Sequence, residues 1–110
     1  MSEKLDPISE GYTVAEDAVS LHAISATINY ADELECVLEG GSSIVAMNKD
    51  IWKRLRLPLR SDQFLLMENA DGGRWATVGQ LSNVPFTIGR NTFWLQVQVV
   101  KNCPCEILLG

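Results

Sequence analysis

Apolar and polar positions along the chain change their period several times, and each change marks an element. From Ser20 the pattern has period two, with Leu21 and Ala23, then Ile24, Ala26 and Ile28, alternating with small or polar residues. This predicts a strand with a bulge near Ala23, because the alternation slips by one there. Asn29 to Glu33 predict a turn, and Leu34 to Leu38 a second strand that delivers the chain to Glu39. The next residues, Gly40, Gly41, Ser42 and Ser43, cannot pack a core, so the strand stops at a carboxylate. Ser43 to Met47 reads as a short buried strand. Asn48 suits the N-cap of a helix, and Ile51, Trp52 and Leu55 at helical spacing, with Pro58 beyond them, predict that helix over Lys49 to Leu55.

Beyond the helix the period returns to two. Gln63 to Glu68 is strand-like, "NADGGRW" from Asn69 to Trp75 predicts a hairpin tip through its Asp-Gly pair, and Trp75 to Leu81 is the returning strand. A further hairpin runs from Val84 to Ile88, through Gly89-Arg90-Asn91, into Thr92 to Val100. There Phe93, Leu95, Val97 and Val99 alternate with Trp94, Gln96 and Gln98, and the two glutamines mark the wetter face. Asn102 to Cys105 is a loop, and Glu106 to Leu109 a last short strand. So many short strands around a single helix predict a closed or sandwiched all-β domain.

Composition narrows the function classes. At 110 residues the chain has room for one core, and 46% hydrophobic with 21% charged residues is the balance of an ordinary soluble globular domain. No apolar run approaches the roughly 20 residues that cross a bilayer, so a membrane role is not expected. Residues 1–19 are acidic and aperiodic and read as a flexible extension; with no basic start and no apolar stretch they do not resemble a secretory signal. The net charge of -5 argues against a nucleic-acid partner. The basic residues that cluster, Lys53, Arg54, Arg56 and Arg60, fit the wet face of the helix and its exit.

Cys36, Cys103 and Cys105 cannot all pair within one chain, and Cys-Pro-Cys is a tight spacing for a mutual bridge. Free thiols are expected, which suits a cytoplasmic or nuclear setting. The lone His22 lies in another segment and has no nucleophile nearby, so neither a metal nor a cofactor is expected. Met67 and Trp75 read first as core residues, with the lining of a groove as the alternative.

"VLEGGSS" from Val37 to Ser43 and "ILLG" from Ile107 to Gly110, with "NADGG" and then "VPFTIG" between them, resemble the retropepsin-like aspartic proteases. The closest look is to domains of fungal retrotransposon polyproteins. The resemblance spans residues 20–110 and implies a closed acid-protease barrel with one short helix. It places the catalytic acid at Glu39 and the active-site loop at Gly40, Gly41, Ser42 and Ser43. Gly41 would let backbone amides approach the carboxylate, and Ser42 or Ser43 would donate a further hydrogen bond. A substrate-binding flap falls at Asn69, Ala70, Asp71, Gly72 and Gly73.

In that family two protomers each supply one acid. The pair shares a proton, activates a water and cleaves a peptide or polyprotein substrate at acidic pH, so a homodimer is implied. Three departures qualify the expectation. Glu39 stands where active members carry aspartate, Gly40 where they carry a threonine or serine that braces the dimer, and the domain is truncated after Gly110 relative to the family's helix and last strand. The alternatives are a catalytically inactive module of the same fold for peptide binding or assembly, and an unrelated all-β ligand-binding domain.

Overall fold

A computed structural model of the chain describes residues 22–40 and 43–110. The N-terminal extension and the expected start of the first strand, Ser20 and Leu21, lie outside them. The described elements are β1 (His22–Ile28), β2 (Asp32–Leu38), β3 (Val45–Asn48), α1 (Lys49–Leu55), β4 (Leu66–Glu68), β5 (Arg74–Ala76), β6 (Gly79–Ile88), β7 (Asn91–Val100) and β8 (Ile107–Leu109). Six of the strands close into a barrel in the order β1, β2, β8, β3, β7, β6, and β4 pairs with β5 in a separate two-stranded sheet. The expected closed all-β barrel with one short helix is what the described residues form.

Local chemistry explains most boundaries. Asn29 and Tyr30 take positive φ, 54° and 61°, and the Ala31 N–H donates to the Ile28 carbonyl at 3.1 Å. Positive φ at both central positions gives the mirror-image turn whose twist suits a hairpin, and β1 and β2 extend from it. Their register runs unbroken from His22 opposite Leu38 to Ile28 opposite Asp32. No bulge interrupts β1 near Ala23, because Ile24, Ala26 and Ile28 already share the inner face and Ala23 simply points outward. The irregularity lies instead in β6, between Leu81 and Val84, where Asn83 takes φ 53°.

Helix α1 runs as its spacing predicts. The Asn48 Oδ1 accepts from the Asp50 N–H at 2.8 Å. Arg56, in the left-handed conformation, closes the far end by donating its N–H to the Trp52 carbonyl. Lys53, Arg54, Arg56 and Arg60 are exposed, as expected of a wet face.

Alternation on the central strands sorts side chains into two apolar clusters. Val45 and Met47 of β3, Ile107 and Leu109 of β8, and Val97 and Val99 of β7 face the barrel core with Phe86, Ile28 and Leu81. Ala46, Leu108 and Val100 face the other way and pack with Ile44, Cys103 and Cys105. The same alternation puts Gln98 beside Val100, and there the expected wet face is not found. Gln98 is only 6% exposed, because Thr77 crosses over it and donates its hydroxyl to the Gln98 Oε1 at 2.6 Å. Gln96, one pleat further out, is exposed as expected.

Two predicted strands are shorter than their apolar pattern. Gln63 to Leu65 stay outside β4 because Gln63 turns back, donating its N–H to the Arg60 carbonyl. The expected return strand from Trp75 to Leu81 divides between β5 and β6. Gly79 begins β6 at a point where a Cβ would lie 2.7 Å from the Arg60 carbonyl oxygen, a closeness only glycine permits.

Candidate active site

The strand order positions the acid. β8 lies between β2 and β3, pairing parallel with β2 and antiparallel with β3. The chain leaving β2 must therefore step over the end of β8, about 10 Å sideways at ordinary strand spacing, before it can enter β3. Glu39 is the first residue of that step, and its N–H still donates to the Leu109 carbonyl at 2.9 Å. The motif "VLEGG" and the motif "ILLG" thus meet side by side, and the half-buried Glu39 projects from the point where they part.

Gly40 is exposed, and a Cβ there would meet nothing within 4 Å. Its lack of a side chain is therefore not a steric requirement. Ser43 is exposed, and Ile44 turns back into the second apolar cluster. Gly41 and Ser42 lie outside the described residues.

The second part of the site is the β4 and β5 hairpin. Its tip is tied by the Asn69 N–H to the Gly73 carbonyl at 2.7 Å and by the Gly72 N–H to the Asn69 carbonyl at 3.0 Å. The Asp71 Oδ1 accepts from the Gly73 N–H at 2.8 Å, while Gly72 supplies the positive φ, 89°. Ala70, Asp71, Gly72 and Gly73 are all exposed. This hairpin shares no strand pairing with the barrel and is held at its root. Thr77 donates its N–H to the Leu65 carbonyl at 2.9 Å, accepts the Leu65 N–H on its hydroxyl at 2.8 Å, and gives that hydroxyl's proton to Gln98.

Neither Thr77 nor Gln98 stands out in the sequence, since nothing local marks a pair that meets across two strands. Substituting Thr77→Val keeps the shape and removes the hydroxyl, leaving a buried amide acceptor and the Leu65 N–H unpaired. The expected cost to closure of the hairpin root is about 1–3 kcal/mol, read as faster hydrogen exchange at Leu65 and Thr77 with unchanged exchange at Val97 in the barrel core. Equal protection in wild type and variant would show that the main-chain pair alone holds the root.

Between hairpin and barrel lies a cleft of about 230 Å³, whose walls include Ile44, Ala46, Met67, Trp75, Val100 and Leu108. It adjoins a second hollow of about 470 Å³ along Asn69, Trp75 and Lys101. The expectation that Met67 and Trp75 are core residues is corrected here. Trp75 is 37% exposed and bridges the hairpin to the cleft, its Nε1 donating to the Asn69 Oδ1 at 3.2 Å. Ile44 places the end of the acid loop in the cleft wall, while Glu39 itself lines neither hollow. Among the described residues no group of three or more His, Cys, Asp or Glu side chains is placed to hold a metal, and His22 is an exposed strand residue.

The class this architecture defines is the retropepsin-like fold, which solved structures share. The retroviral protease-like domain of Ddi1 from Leishmania major superposes with a TM-score of 0.62 at 17% identity, over 84% of this chain and 73% of that one. A retropepsin-like aspartic protease from Rickettsia conorii gives 0.56 at 19% identity, over 82% of this chain and 66% of that one. At such identities the likeness is one of fold. No protein-family model and no curated protein matches the chain.

Proposed function

We propose that residues 20–110 form a retropepsin-like aspartic endopeptidase domain of a retrotransposon-type polyprotein, preceded by the acidic extension of residues 1–19. It acts as a homodimer in which each chain contributes one Glu39. The observation that carries this reading is the placement of Glu39 at the crossing of β2 over β8, with its amide on the Leu109 carbonyl, in a fold shared with retropepsin-like proteases. Two such carboxylates at a two-fold axis hold one proton between them. One then activates water while the other protonates the scissile carbonyl oxygen. The substrate is an extended peptide lying under the β4 and β5 hairpin, whose side chains enter the cleft beside Trp75 and Met67. Glutamate in place of aspartate and glycine at position 40 make the activity weak.

The free cysteines fit a cytoplasmic or nuclear setting, and no helix among the described residues is long and apolar enough to cross a membrane. A second reading, an inactive module for peptide binding or assembly, is favoured by the cleft, whose walls do not include Glu39.

A peptide library incubated at acidic pH, with and without a pepstatin-type inhibitor, tests the proposal on wild type and Glu39→Ala, with the mass in solution measured in parallel. Slow inhibitor-sensitive cleavage by a dimer, lost in Glu39→Ala, is expected. Cleavage that survives the substitution would overturn the enzyme reading, whereas peptide retention unchanged by it, without cleavage, would favour the binding module.

A further inference from the structure

The connection between β7 and β8 carries chemistry that the proposed reaction does not use. Cys103 and Cys105 flank Pro104, and their sulfurs lie 3.7 Å apart. The spacing that looks too tight in sequence therefore leaves the two sulfurs in van der Waals contact. Both sulfurs sit on the same side of the turn, and closing to the about 2.05 Å of a disulfide needs only a movement of about 1.7 Å, within reach of side-chain rotation.

The turn is also pinned. The Asn48 Nδ2 donates to the Cys103 carbonyl at 2.8 Å, and the Asn48 N–H donates to the Glu106 carbonyl at 3.0 Å. Pro104 fixes its own φ between them. One residue of β3 thus holds the carbonyl of the first cysteine and that of the residue after the second, which fixes the main chain that carries both thiols.

Access differs between the two sulfurs. Cys103 is buried in the second apolar cluster. Cys105 is half-buried and opens on a hollow of about 390 Å³, lined also by Glu35, Asn48, Ile51, Pro104 and Glu106. The two carboxylates there disfavour an anionic visitor and leave room for a small neutral one. Burial, then the hydrogen bond shared with Cys103, pushes the Cys105 thiol up to about 11, so thiolate is scarce and exchange is slow at neutral pH.

We propose that Cys103 and Cys105 are a redox-modification site, converted to a reversible intrachain disulfide by a small neutral disulfide that enters beside Cys105. The Cys105 thiolate attacks one sulfur of the reagent, whose S–S bond breaks; the departing thiolate takes up the proton that Cys105 released. The Cys103 thiolate then attacks the Cys105 sulfur, the bond to the reagent's second half breaks, and that half leaves with the proton from Cys103. Two protein thiols are oxidised to one disulfide while the reagent is reduced to two thiols. A ring closed across one intervening residue is strained, and strained disulfides are the readily reduced kind that serves regulation.

The experiment incubates the full chain with 2-hydroxyethyl disulfide, quenches in acid, alkylates under denaturing conditions and maps the peptides by mass. The expected product has lost two hydrogens, carries no adduct, joins Cys103 to Cys105, leaves only Cys36 to alkylate, and returns to the starting mass with dithiothreitol. Cys105→Ser replaces the half-buried member and should yield no internal disulfide. Stable mercaptoethanol adducts on both sulfurs, a bridge to Cys36 or between chains, or no reaction where the denatured protein reacts, would each overturn the proposal.

Discussion

Replacing Glu39 with aspartate is expected to raise kcat/KM for peptide cleavage by about 100-fold, equivalent to about 2.7 kcal/mol of transition-state stabilisation. The reason is length. Under the proposed dimer each glutamate carries one methylene more than the acid the geometry suits, and two such excesses meet at one axis. The carboxyl groups must then fold back or splay, and a misplacement of about 1 Å from the shared proton and the water is enough to cost two orders of magnitude. The backbone needs no repair, since the amide of residue 39 is already hooked to Leu109. Gly40→Thr should add to the gain, because a Cβ at that position meets nothing within 4 Å and the hydroxyl can reach across the axis. Steady-state kinetics on a fluorogenic peptide provides the readout. A Glu39→Asp protein that dimerises yet cleaves no faster than wild type would mean that the acid is not the limiting defect.

Ile107→Ala is expected to destabilise the fold by about 2–5 kcal/mol, a large share of the roughly 5–15 kcal/mol that holds a domain together. Ile107 is fully buried in the barrel core, and its strand is the rung that joins β2 to β3. Removing its side chain leaves a cavity walled by three strands whose pairing fixes their positions, so the gap cannot easily close. Leu108→Ala is the internal control. That residue, one step along the same strand, faces the smaller cluster and is only partly buried, so its cost should be distinctly lower. Urea denaturation with an unchanged m-value measures both. Equal costs would contradict the two-faced packing of β8.

Local chemistry is legible in the sequence. Helix α1 is bounded as its pattern predicts because its cap, apolar spacing and terminating proline all act within a few residues, and the hairpin tip at Asn69 to Gly73 obeys the same kind of short-range rule. Pairings across the chain are not legible from periodicity. Nothing in the apolar pattern of β8 says that it lies parallel to β2 on one edge and antiparallel to β3 on the other. That juxtaposition, which places Glu39 beside Leu109, is signalled only through the resemblance of the two motifs. The misreading of Gln98 has the same origin: an amide on an alternating strand reads as wet until Thr77, supplied by the turn leaving the hairpin, covers it. Trp75 and Met67 read as core because large apolar side chains usually are, and a strand in a free-standing hairpin has no barrel to point into.

The insertion of β8 between β2 and β3 has a temporal consequence. While a ribosome is still making this protein, the hairpin of β1 and β2 and the helix can form, but the slot beneath Glu39 stays empty until Ile107 to Leu109 emerge from the exit tunnel. Nascent chains cannot assemble the acid's surroundings early, so the region around Glu39 takes its final form only after synthesis has passed the far motif.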